Sequence, residues 1–183
     1  AQKIAYQQQL DERAAMPALT AADLQRLPSD VFSLQYRQVE LRGEWLPAQT
    51  VYLDNRQMQG RPGFYVLTPL RVTAAAADSP ANVLTVLVQR GWVARNFQDR
   101  AALPVVDSPA GAVLVQGRLA GQPPRLLELQ STAAEQGASQ IRQNWDTDSA
   151  ARALSQPVVP LTVVQTGAGS DGLLRDWSVV GSG

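Results

Sequence analysis

The chain has 183 residues, 45% of them hydrophobic and 17% charged, with 16 Lys plus Arg against 16 Asp plus Glu. This is the composition of one globular domain, and a zero net charge excludes a broad nucleic-acid footprint, which needs surplus cations to release phosphate counterions. There is no His and no Cys, which excludes Ser-His-Asp and Cys-His catalysis, disulfides, ordinary zinc sites and the usual proximal ligands of haem iron.

Residues 2–15 read as a helix, with Ile4, Leu10 and Ala14 forming a thin apolar stripe, and Pro17 ends it. Thr20-Ala21-Ala22-Asp23 resembles a capping box for a short helix that stops before Pro28. Gln35–Trp45 alternates with period two, placing Val39, Leu41, Gly43 and Trp45 on one face of a strand. Phe32, Leu34 and Tyr36 alternate in the other phase, so a bulge or a separate segment is expected near Arg37. Thr50–Asn55 and Phe64–Thr73 read as strands joined by a loop over Arg56–Gly63.

Ala74–Ala81 reads as a softer connection. Asn82–Val93 is apolar on both faces and is expected to be a central or barrel strand. Phe97–Gly111 is irregular; Ala112–Leu119 alternates again; Leu126–Leu129 and Gln140–Asn144 are short strand candidates around a polar loop over Ser131–Ser139. Asp146 caps a helix running to Leu154, and Val158–Thr166 is the last strand. The expected fold is therefore α+β: a mainly antiparallel sheet of six or seven strands curled into a barrel, with an N-terminal helix and a short helix before the last strand.

The longest purely apolar runs are four residues, such as Phe64-Tyr65-Val66-Leu67, whereas a membrane-spanning helix needs about 18 or more. The first residue is not Met, and the chain ends in Ser-Val-Val-Gly-Ser-Gly. It is read as a segment excised from a longer protein.

Asp and Glu are the acid-base groups that remain near neutral pH. Asp54, Asp99 and Asp107 sit at strand ends or in loops, and a carboxylate hydrolase would need two of them facing each other across a cleft. Gly60-Arg61-Pro62-Gly63 and Gly167-Ala168-Gly169 lack the Lys-Ser/Thr or the strand-loop-helix setting of a phosphate loop and read as turn and linker. Met16 and Met58 are isolated among polar neighbours and read as packing or surface residues, at loops or helix ends, more readily than as iron ligands. Arg90-Gly91-Trp92 carries the main functional bet. Arg90 and Trp92 are read on opposite faces; the arginine could pair with a carboxylate and the tryptophan could anchor an interface. The alternative is a Trp92 buried in the barrel with Arg90 capping the sheet edge.

Several segments in order resemble the Surfeit-locus-one family. Tyr36–Gly43 is similar to its arginine-containing strand ending in Gly. Gly63-Phe64-Tyr65-Val66-Leu67-Thr68-Pro69-Leu70 is similar to its Gly-Tyr-Val-Leu-Thr-Pro-Leu segment. Leu87-Val88-Gln89-Arg90-Gly91-Trp92-Val93 resembles Leu-Val-Asn-Arg-Gly-Trp-Val, with Gln89 for the commoner Asn. The resemblance implies a non-enzymatic assembly factor for haem-copper cytochrome oxidase that assists delivery of haem a. It implies oxidase subunit one, and the haem a synthase, as partners, and a periplasmic domain held at the bacterial inner membrane. Residues 1–27 would continue from one transmembrane helix, 28–166 would form the barrel, and 167–183 would lead flexibly to a second. The family's haem-linked His precedes that second helix, so it would lie outside this chain. Arg90, Trp92 and Tyr65 are the expected partner-binding residues; no catalytic or metal residue is expected. The competing expectation is a generic barrel module for a small molecule or oligosaccharide, with an aromatic pocket at Trp45 or Trp92.

Overall fold

A computed structural model describes residues 2–73, 83–95, 106–126, 140–167 and 173–177. The elements run α1 (Gln2–Ala15), α2 (Ala21–Gln25), β1 (Gln38–Trp45), β2 (Val51–Met58), β3 (Arg61–Thr73), β4 (Val83–Ala94), β5 (Val113–Ala120), β6 (Ile141–Arg142), α3 (Thr147–Leu154) and β7 (Thr162–Gln165). The expected connection over Ala74–Ala81, the polar loop and most of the strand at Leu126–Leu129 lie outside the described residues.

Five strands close on themselves in the order β1-β5-β7-β4-β3 and back to β1, while β2 and β6 extend the sheet beyond β3. The expected α+β barrel with its N-terminal helix and its helix before the last strand is thus present. Most pairings are antiparallel. Two are parallel, β4 with β7 and β2 with β6. Parallel neighbours need a long crossover, and the chain supplies it by laying down β5, β6 and α3 between β4 and β7.

Closure depends on β1 serving two partners. Its first residues pair with β5, from Gln38↔Arg118 to Gly43↔Val113, and its last with β3, from Gly43↔Val72 to Trp45↔Leu70. Gly43 stands where the two ladders meet, and a Cβ there would lie 2.4 Å from the Arg71 carbonyl oxygen. The strand backbones approach closely at that position, which only glycine permits without displacement.

The inward residues of β1 read off the sequence as expected: Val39, Leu41 and Trp45 are buried and join Leu70, Val88 and Leu119 in the main core. Leu19 and Leu24 from the N-terminal region also enter this core. A second apolar cluster, built on Val51, Leu53, Leu67, Leu87 and Ala150, lies where α3 covers the outer face. Helix α3 is capped by Asp146, which accepts the Ser149 N–H at 2.7 Å. The capping box is present at Thr20, whose N–H donates to Asp23 Oδ2 at 2.8 Å. On α1 only Leu10 of the thin stripe is buried; Ile4 remains 67% exposed.

Three local expectations are corrected. Phe32–Leu34 is not strand-like: Val31–Leu34 is a 3-10 turn capped by Asp30, and Tyr36 has φ of 70°. The apolar alternation there mimicked a strand, but Phe32 faces solvent. The hairpin between β2 and β3 needs only Gln59 and Gly60, with φ of 55° and 75°, so the strands extend through Arg56–Met58 and Arg61–Gly63. Two residues with positive φ match the twist of paired strands, which a longer loop would not need. Met58 consequently sits in a strand and is buried, not in a loop.

Replacing Gly43 by Ala should weaken the β1–β3 closure by about 2–3 kcal/mol, since an overpacked backbone contact must be relieved. Urea denaturation should show a lowered midpoint.

Candidate functional site

Strand β4 carries a register shift that decides where its side chains go. Val66 pairs with Gly91 and Leu67 with Gln89, so Arg90 is the extra residue of a β-bulge. In a regular strand residues 90 and 92 would share a face. The bulge moves them apart. Arg90 turns inward with Val88 and lies over the Trp45 ring, its guanidinium carbon 4.0 Å from the centroid. Trp92 turns outward with its partner Tyr65.

Arg90 is 1% exposed. Its Nη1 donates to Ser108 Oγ at 2.6 Å and Thr68 Oγ1 at 3.3 Å, and its Nη2 to the Asp107 carbonyl at 2.7 Å. Thr68 in turn contacts Thr50 Oγ1 at 3.0 Å. The expectation that Arg90 caps the sheet edge is corrected: the bulge directs it into the interior. It separates the main core from a smaller cluster of Tyr52, Phe64, Val66 and Leu173. Gly91 belongs to the same arrangement, since a Cβ there would stand 2.6 Å from Leu173 Cβ.

Trp92 is also buried, and its Nε1 donates to the Arg56 carbonyl at 2.9 Å. Its backbone pairs with Leu174 in both directions, at 2.8 and 2.9 Å. Of the three expected partner-binding residues, Tyr65 is the one whose side chain reaches an accessible groove. The expected aromatic pocket at Trp45 is filled by the Arg90 guanidinium.

The groove lies on the outer face, across β3, β4, β7 and β5, with a volume of about 280 Å³. Gln89, Thr162 and Arg118 contribute polar groups, and Tyr65, Trp177, Pro123 and Pro124 contribute walls. Both rims are anchored. Trp177 Nε1 donates to the Gln165 carbonyl at 2.9 Å, and its ring meets Tyr65 edge-on with centroids 5.2 Å apart. On the other side Arg56 Nη2 donates to the Pro124 carbonyl at 2.7 Å. Gln122 is locked to α3 by the Thr147 N–H and hydroxyl, at 2.9 and 3.1 Å. Burial raises the Tyr65 phenol above its ordinary pKa, against the opposing pull of the Arg56 charge. Burial lowers Arg118, which Tyr36 partly offsets; an arginine so placed still carries its charge.

Sequence reasoning missed Gln89, Thr162, Arg118 and Trp177. The available signal was Gln89 itself, a polar residue at the centre of a strand that is apolar on both faces. The candidate carboxylates do not assemble. Asp54 is ion-paired with Arg95, Asp107 contributes its carbonyl to Arg90, and Asp99 lies outside the described residues. Among the described residues no cluster of three or more acidic side chains could hold a metal.

A model of the SURF1 family matches residues 1–180. No curated protein matches the chain. The SURF1 family is associated with cytochrome oxidase assembly and with membranes. Among the described residues no helix is long and apolar enough to cross a membrane.

The Tyr65–Trp177 contact is open to a double-mutant cycle. Tyr65→Ala and Trp177→Ala, singly and together, should show a coupling of about 1 kcal/mol in denaturant unfolding, the range of an edge-to-face aromatic pair. Strict additivity would mean that the two rings do not support one another.

Proposed function

The chain belongs to the SURF1 family, and from that membership we propose that it is a non-enzymatic scaffold assisting delivery of haem a to the catalytic subunit of cytochrome oxidase. The observation that carries the reading is the family match across nearly the whole chain. The composition supports it: without His or Cys, the chain cannot use Ser-His-Asp or Cys-His catalysis and lacks the usual proximal haem ligands.

The residues present do not fit a haem iron site. Met58 is buried in β2 and Met16 lies at the end of α1, on separate elements. No step is therefore routed through haem on this chain. In the proposal, the ligand to haem a belongs to the full-length protein outside these residues. The barrel domain stands on the periplasmic side of the bacterial inner membrane. Its partners are oxidase subunit one and the haem a synthase. Tyr65, half-buried at the groove, is the one of the three expected partner-binding residues best placed to touch a partner; Arg90 and Trp92 act by shaping the strand beneath it.

The test is to remove the full-length protein from a bacterium that carries it and measure haem a per subunit one by absorption spectroscopy of the purified oxidase. The expected result is a lowered haem a content with subunit one still made. Unchanged haem a content would contradict the proposal, and stoichiometric haem a on the isolated 183-residue chain would overturn the siting of the ligand.

A further inference from the structure

The floor of the outer groove holds two buried polar side chains whose hydrogen-bonding capacity the protein does not use. Gln89 is 4% exposed and Thr162 is 1% exposed, and both line the groove. Among the described residues, Gln89 Oε1 and Thr162 Oγ1 have no hydrogen-bond partner. A buried polar atom left in this state costs free energy, and native structures almost always satisfy it. Both atoms belong to one site, beside a third polar group, the Arg118 guanidinium, and the Tyr65 phenol.

The chemistry of these groups selects a ligand. Arg118 presents several N–H donors in a planar fork suited to a carboxylate. The Thr162 hydroxyl and the Tyr65 phenol can each donate one more hydrogen bond. Among the described residues, none of the ten that line the groove is acidic, so an incoming anion meets no like charge from them. Gln89 Oε1 is an acceptor and asks for the opposite: a donor standing next to the carboxylate. A carboxylate with a neighbouring N–H is what a polypeptide offers, at an acidic side chain or at its C-terminal residue. The walls formed by Trp177, Tyr65, Pro123 and Pro124 suit the apolar stem of such a residue, and a volume of about 280 Å³ accommodates one residue and its flanking amides. We infer that this groove is a recognition site for a single carboxylate-bearing residue of a partner polypeptide, with Arg118 and Thr162 holding the carboxylate and Gln89 the adjacent N–H.

The groove is also preorganised. Its two rims are tied down by the bonds from Trp177 to Gln165 and from Arg56 to Pro124, so little ordering has to accompany binding.

The test uses the 183-residue chain labelled with ¹⁵N. The readouts are the Trp177 indole N–H and the Gln89 side-chain amide. Two blocked tripeptides are titrated to about 20 mM, above the millimolar dissociation constants expected of so small a contact. One is acetyl-Gly-Glu-Gly-amide, with a side-chain carboxylate; the other is acetyl-Gly-Gly-Leu with a free C-terminus. Each is compared with its uncharged counterpart, the Gln peptide or the C-terminal amide. Saturable shifts of both signals with either carboxylate, at least about tenfold weaker with the uncharged peptide, are expected. Whichever peptide binds more tightly identifies the source of the carboxylate. Arg118→Gln should weaken binding about tenfold or more. Thr162→Val should also weaken it, while leaving the melting temperature unchanged or higher, because the hydroxyl removed has no partner within the protein. Absence of saturable shifts, equal shifts with the uncharged peptides, or a Thr162→Val chain that binds normally but melts earlier would overturn the assignment.

Discussion

The guanidinium of Arg90, enclosed inside the barrel, is the constraint around which the rest is arranged. A cation cannot be taken from water into an apolar interior without replacement partners. Here the partners come from three places: the Thr68 hydroxyl on β3, the Asp107 carbonyl and Ser108 hydroxyl of the segment before β5, and the face of Trp45 at the end of β1. Trp45 is also in the short ladder that closes the barrel. One side chain therefore links the closing strand, the neighbouring strand and a connecting segment. It also separates two apolar clusters within the interior.

The outer face inherits its pattern from the same residue. Because Arg90 occupies the bulge, Gln89 stays on the outward phase with Leu67 while Trp92 joins Tyr65 there. The outward side chains then divide the labour. Leu87 and Leu67 are covered by α3, Trp92 is sealed by Leu174 and by the Arg56 carbonyl, and Gln89 and Tyr65 are left facing the groove. A strand that looks uniformly buried in sequence thus supplies a core on one side and a polar floor on the other.

Much of this was legible in the sequence. The period-two pattern of β1 and the doubly apolar run of β4 reported their environments directly, because burial on one or both faces leaves that mark on residue order. The caps at Thr20 and Asp146 were legible for a local reason: the side chain that satisfies the first N–H groups lies within three residues of them. What escaped depends on contacts distant in sequence. The parallel pairing of β4 with β7 is a matter of where the chain returns. The bulge at Arg90 is set by register against β3. The groove brings together residues 65, 89, 118, 162 and 177, which no spacing links. Phe32 and Leu34 misled because a 3-10 turn and a strand can both carry apolar residues two apart.

The chain belongs to a family associated with oxidase assembly, and among the described residues the architecture offers a closed barrel whose outer groove is anchored at both rims. Arg90 is the internal brace of the barrel. Arg90→Met keeps the length of the side chain and removes its charge and donors, leaving Thr68, Ser108 and the Asp107 carbonyl without their partner. Equilibrium urea unfolding should show a loss of about 3 kcal/mol, in the range for removing hydrogen bonds from a buried charged group. A stability within about 0.5 kcal/mol of the parent, the range of an ordinary surface change, would contradict it.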